Sequence, residues 1–186
     1  MLNVRAAVIE AKDGPFVFRD VDVDEPRADE IVVRVVATGI CQADAHVRSQ
    51  GYASPLPLVL GHEGAGIVEH IGASVRSVVP GDRVVMSFPS CGYCDECLGG
   101  HPAYCVHNLQ LSFGAARLDG TNAFHDVHGH FFGQSSFATY ALARAARRAA
   151  MPLRAAAHHR SCRRCPTPPP HCARPRAASR ASSHCP

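Results

Sequence analysis

The stretch SCGYCDECLGGHPAYC, residues 90–105, gathers four cysteines at Cys91, Cys94, Cys97 and Cys105. Two-residue gaps let neighbouring thiolates reach one ion without straining the chain. Gly92, Gly99, Gly100 and Pro102 supply bends that return Cys105 to the same point. Zinc takes four tetrahedral ligands, so four cysteines with no spare position read as a closed, structural zinc site. An iron–sulfur cluster is the rival, because C-x2-C-x2-C also opens a ferredoxin run. That run goes on with three residues and Cys-Pro; here seven residues precede Cys105-Val106. Four ordinary buried cysteines are the remaining alternative.

A second group is split between two segments, Cys41 in GICQADAH and His62-Glu63 in LGHEGAG. One thiolate, one imidazole and one carboxylate make a mixed, incomplete set, the kind that leaves a zinc position open for chemistry. Asp44 and His46 follow Cys41 closely, and an acid beside a metal-bound histidine typically holds its other ring nitrogen. A lone histidine serves structure more often than metal, so spacing alone leaves this second site open.

These residues must be positioned by elements, and the chain's composition divides before its elements do. Residues 144–186 hold ten arginines, four of the nine cysteines and seven of the fourteen prolines, with no acid or glycine. The remaining 1–143 carry nine basic and sixteen acidic residues, a net charge near −7, and all fifteen glycines. The body is expected to fold around a core of branched aliphatics. The tail, with too little apolar surface to offset the entropy of ordering, is expected to be disordered. No run of about 18 apolar residues offers a membrane span, and the N-terminus lacks an apolar signal-peptide core. An odd cysteine count with close pairs favours metal over disulfides. A cytoplasmic protein is the expectation.

Apolar runs bounded by turns predict strands over 4–10, 16–23, 30–40, 65–72, 82–88 and 135–143. Short helices are expected near 42–49 and 94–99. The stretch 106–134 reads as a long excursion of poor periodicity. Several strands and little helix predict a mainly β fold, a small barrel or curled sheet. No G-x-G-x-x-G lies between a strand and a helix, so no dinucleotide-binding fingerprint is found.

The motifs resemble those of a known family. GHEGAGIVEHIGASV (61–75) matches the G-H-E-x2-G-x5-G-x2-V pattern of zinc-containing medium-chain alcohol dehydrogenases. GIC (39–41), GDRV (81–84) and the four-cysteine loop follow in that family's order. The wording of PLPLVLGHEGAG and FFGQSSFATYALA is similar to the aryl- and benzyl-alcohol branch. The resemblance covers residues 1–143 and implies a GroES-like, partly open β-barrel with the structural zinc lobe at 90–106. It implies Cys41 and His62 as catalytic zinc ligands, with Glu63 the adjacent acid able to exchange into the ion's shell. Asp44 would be the partner of the zinc histidine and His46 the outer end of a proton relay. Cys91, Cys94, Cys97 and Cys105 would hold structural zinc. The implied chemistry is NAD(P)-linked oxidation of a primary, aromatic alcohol to its aldehyde, with a small-molecule alcohol or aldehyde as partner and neither membrane nor specific nucleic acid.

Three departures qualify that expectation. Ala43 stands where the family has a hydroxyl residue of the relay. The third protein ligand has no match, since Cys162 and Cys165 lie in SCRRCP without the expected glycine-flanked context. The Rossmann domain that binds NAD(P) is absent. The tail has the composition of a GC-rich coding sequence read out of frame, so a truncated or frameshifted chain, inactive alone, is expected. The alternative is a zinc-binding module whose Arg-rich tail contacts nucleic acid or another polyanion. Oligomeric state is left open.

Overall fold

The structure, a computed structural model, describes residues 1–145 and 150–152. The chain divides into two units, Met1–Arg154 and Ala155–Pro186, and every described element belongs to the first. In chain order these are strands β1 (Leu2–Ile9), β2 (Phe16–Val23) and β3 (Glu30–Gly39), helix α1 (Gln42–Arg48), and strands β4 (Leu58–Val59), β5 (Glu63–Ile71) and β6 (Arg83–Met86). Helices α2 (Asp95–Leu98) and α3 (Asn108–Phe113) and strands β7 (Tyr140–Arg144) and β8 (Ala150–Pro152) follow. Single 3-10 turns occupy Pro102–Tyr104 and Phe131–Gly133.

The strands form two sheets, ordered β2-β1-β4 and β7-β3-β5-β6-β8, with every pairing antiparallel. Neither sheet closes on itself, and no doubly wound sheet occurs among the described residues. Alternation explains the smaller sheet: Val4, Ala6 and Val8 of β1 and Val21 and Val23 of β2 face inward. The first half of β3 is buried on both faces. Val32 joins the cluster of the smaller sheet, while Ile31 and Val33 join Val68, Val75, Val84 and Met86 on the other side. One strand thus divides two apolar layers, and each fully buried Val or Ile contributes about 2 kcal/mol. A third cluster, Ile9, Val47, Leu58, Leu60, Phe131 and Phe132, packs beneath α1 and the β4–β5 junction.

A buried ion pair ties residues 106–134 to this frame. Arg117 Nε and Nη2 donate to Glu30 at 2.6 and 2.9 Å, and Glu30 also accepts the Arg27 N–H at 2.9 Å. His130 lies nearby, its Nε2 accepting the Ala123 N–H at 3.2 Å. Burial, with the Arg117 charge adding, pushes the His130 imidazole from 6.5 down to about 4. A group with a depressed folded value is neutral when folded yet protonated when unfolded between those two pH values. The unfolded state binds the extra proton, so stability is full above about 6.5 and declines as pH falls toward 4, by on the order of 3 kcal/mol. His130→Gln should therefore flatten the fall of the urea midpoint across that window. Parallel curves for the two proteins would contradict this role for His130.

Most expected strands are present within a few residues of their bounds. The last starts later than expected, at Tyr140: the Phe137 and Thr139 N–H groups instead donate to the Leu60 and Arg5 carbonyls, their own carbonyls accept from Ala7 and Val35, and Ala138 makes an isolated bridge to Ala6. Strand β4 was too short to leave a pattern. The stretch 106–134 is not structureless, since it holds α3 and the turn at Phe131–Gly133. Helix α3 escaped notice because only Leu111 and Ser112 of its six residues are buried, too few for a period to register. Disorder was expected from 144 onward, but Arg144 ends β7 and Ala150–Pro152 pair with Val84–Met86 of β6. The rest of that tail, Cys162 and Cys165 included, lies outside the described residues.

Candidate metal centres

The first centre is the lobe that carries Cys91, Cys94, Cys97 and Cys105. Their four sulfurs lie within 4.8 Å of one another, and none forms a disulfide. Cys91 Sγ and Cys97 Sγ stand 3.9 Å apart, against about 3.8 Å between two corners of a tetrahedron with 2.3 Å zinc–sulfur bonds. Main-chain N–H groups already point at the sulfurs, from Cys94 to Cys91 Sγ at 3.3 Å and from Cys91 to Cys105 Sγ at 3.2 Å. Such donors favour thiolate. The Cys97 and Val106 N–H groups pull the Cys94 thiol down to about 6, whereas burial, reinforced by neighbouring thiols, pushes Cys97 up to about 12. A bound cation would favour the thiolate form of these sulfurs. The donor set and its spacing fit zinc.

The second centre arises where β3 ends and β5 begins. Gly39 pairs with Glu63 in the β3–β5 ladder, after a register break between Val35 and Ala37. Two residues past that pair Cys41 opens α1, and one residue before it stands His62. Donor atoms of Cys41, His62 and Glu63 all lie within 4.8 Å of one another. Gly39 is needed here because a Cβ would sit 2.0 Å from Glu63 Oε2. Gly61 adopts φ of +93°, which turns the chain so that His62 enters the cluster.

Asp44 binds the two segments together. It is 2 % exposed. Its Oδ2 accepts the Cys41 N–H at 3.0 Å, and its Oδ1 accepts the Gly61 N–H at 3.0 Å and faces His62 Nδ1 at 3.2 Å. A carboxylate only accepts, so Nδ1 carries the hydrogen and Nε2 is left for a metal. The Asp44 carboxylate holds the His62 pKa above its ordinary value despite burial. One thiolate, one imidazole from a fixed tautomer and a carboxylate at the exposed rim fit an open zinc site.

His46 lies apart from this group. It is on the exposed side of α1, edge-on to Tyr52 with ring centroids 4.9 Å apart. Among the described residues no side-chain hydrogen bond joins His46 to Asp44 or His62. An aromatic path connects the two histidines instead: Tyr52 meets Phe113 at 4.7 Å, Phe113 meets Phe132 at 5.1 Å, and Phe132 stacks on His62 at 4.6 Å. Phe88 adds a further ring 5.5 Å from Phe132. This wall was missed in the sequence. Its one visible signal was the FFGQ run at 131–134, hidden in a stretch without periodicity.

The residues from 27 to 154 match the alcohol dehydrogenase GroES-like domain, and the chain belongs to that family, the zinc-type medium-chain alcohol dehydrogenases. A geraniol dehydrogenase of Castellaniella defragrans is 47 % identical over 148 residues, covering 77 % of this chain and 39 % of the relative. The solved alcohol dehydrogenase zinc-binding domain protein of Burkholderia ambifaria is 49 % identical with a TM-score of 0.78, covering 81 % of this chain and 42 % of that one. Benzyl alcohol dehydrogenase of Acinetobacter calcoaceticus is 44 % identical with the same TM-score of 0.78, covering 82 % and 41 %. This chain thus spans about two-fifths of the length of these relatives. The mainly β, GroES-like expectation is borne out. Nothing here supports the polyanion-binding alternative, whose tail lies outside the described residues. No described helix is long and apolar enough to cross a membrane.

Proposed function

We propose that this chain is the zinc- and substrate-holding part of an alcohol dehydrogenase that oxidises a primary alcohol bearing a flat, apolar group, aromatic or allylic, to its aldehyde. The observation that carries this reading is the aromatic wall seated directly on a ligand. Phe132 stacks on His62, with Phe88, Phe113 and Tyr52 beyond it. Relatives named for geraniol and benzyl alcohol support a substrate of that shape.

In this proposal Cys41 and His62 hold the metal, and Glu63 stands at the rim as an exchangeable ligand. Zinc, when bound there, supplies Lewis acidity that lowers the pKa of an alcohol hydroxyl. Asp44 fixes the His62 tautomer and the spacing of the two ligand segments. The Phe132 and Phe88 rings orient the alcohol's apolar group and exclude water around it. His46 passes the proton to solvent. Ala43 has no hydroxyl to lead there, so a water bridges that gap. Accepting the hydride would fall to NAD(P), for which the described residues offer no binding element, and residues 1–143 would serve as the catalytic body with its zinc lobe at 90–106.

The isolated chain is expected to hold about one equivalent of tightly bound zinc, at the four cysteines. It should bind benzyl alcohol weakly and show no NAD(P)-dependent oxidation of it. Elemental analysis and absorbance at the reduced-nicotinamide band check this together. Steady turnover by the 186-residue chain would contradict the proposal that it is inactive alone.

A further inference from the structure

Gln134 is 1 % exposed and lies against the segment that carries His62 and Glu63. Its Nε2 donates to the His62 carbonyl at 2.8 Å, and its Oε1 accepts the Gly64 N–H at 3.0 Å. Glu63 lies between the two bonded residues. On one side Ser135 Oγ donates to the Val59 carbonyl at 2.7 Å and accepts the Phe131 N–H at 2.9 Å. On the other, the Ser136 and Phe137 N–H groups reach the carbonyls of Gly61 and Leu60 at 2.9 and 3.0 Å. The Ser135 side chain thus clamps residue 59 and main-chain bonds clamp 60 and 61; beyond them the Gln134 side chain holds the outer face of a segment whose Glu63 and Gly64 pair with Gly39 and Thr38 of β3.

We propose that Gln134 is a positioning residue for the metal site, holding the main chain of His62, Glu63 and Gly64 so that both donors face Cys41. The inference rests on the reading above that these three residues take a metal. A carboxamide suits the place because it donates and accepts at once, matching one carbonyl and one N–H. The same segment ends in Phe131 and Phe132, which contact the His62 ring, so Gln134 couples the ligand loop to the aromatic wall. An ionised glutamate of equal size accepts only, and would leave the His62 carbonyl facing an oxygen. A protonated glutamate donates through its O–H and restores both bonds.

Cobalt(II) titration of the full chain, followed by visible absorption, tests this with Gln134→Glu and with His62→Ala as the site control. Wild type should fill the four-cysteine site and then a second site, which His62→Ala should lose. Gln134→Glu should keep the first and bind the second about tenfold more weakly, with shifted ligand-field bands. Wild-type affinity and bands at every pH in Gln134→Glu would overturn the positioning role and leave the site intact. Loss of the four-cysteine cobalt as well would also overturn it, showing a general folding role. If wild type takes no second cobalt, or His62→Ala keeps it, the metal-site reading itself falls.

Discussion

Replacing Cys105 by serine is expected to strip the lobe at 90–106 of its zinc and to unfold that lobe while the sheets persist. The lobe has little else to hold it. Helix α2 is four residues long and buries none of them, and the turn at Pro102–Tyr104 also buries none. Its apolar cluster is only Cys91, Cys105 and Leu111, with Cys94, Cys97 and Leu118 half-buried. Leu98 and Tyr104 are 72 % and 73 % exposed. Such a segment cannot offset the entropy of ordering itself, so the metal must supply the difference. Structural zinc binding contributes on the order of 10–16 kcal/mol, and one thiolate's share of that, about 3 kcal/mol, weakens the site more than a hundredfold. Hydrogen exchange should rise to unfolded rates across 90–106 in Cys105→Ser and stay slow in β1, β3 and β5. A lobe that remains protected in the zinc-free variant would refute this.

The second large effect is expected at Asp44. Asp44→Ala removes the acceptor for three groups at once, the N–H of Cys41, the N–H of Gly61 and the His62 Nδ1–H. Donors left unpaired in a buried place cost about 1–3 kcal/mol each, and removing one partner of a buried charged pair typically costs roughly 3–5 kcal/mol in all, which is the loss expected here. The electrostatic consequence is separate. Asp44 is the main cause of the raised His62 pKa, with Cys41 adding to it and burial opposing both. Without Asp44 the His62 pKa should fall in the metal-free protein. The sign matters for stability. A raised folded value contributes stability that is present below about 6.5 and fades as pH rises through the folded value. Asp44→Asn, which keeps the size, should lose this component. NMR titration of the His62 ring in wild type and Asp44→Asn reads the effect, and an unchanged midpoint would sink it.

How far the sequence revealed these features depended on where the chemistry sat in the chain. The four cysteines were legible because ligation is local: four residues within fifteen, with glycines between them. Cys41, His62 and Glu63 were legible as one mixed set, but spacing alone could not show that they meet. What joins them is the Gly39–Glu63 register, a contact between strands that no local spacing reports. Asp44 was read as the histidine's partner, yet its bonds to Cys41 and Gly61 depend on the helix start and on the left-handed turn at Gly61. Gln134, Phe131 and Phe132 were missed altogether. Their segment follows the main chain of residues 59–64 without forming a strand, and His130, Phe132 and Ser135 adopt positive φ values that erase any alternation. Strands with one inward face could be read from composition, as in β1 and β2. The double burial of β3 between two cores could only be seen once the sheets were assembled.

The protein is proposed to hold two separate zinc positions in one small body, one closed and one open. Crystals grown with excess zinc and measured at the zinc absorption edge test it most directly. Two anomalous peaks are expected: one equidistant from Cys91, Cys94, Cys97 and Cys105, the other between Cys41 Sγ and His62 Nε2, with Glu63 beside it. A single peak at the four cysteines, with His62 Nε2 bonded to protein or water alone, would contradict it.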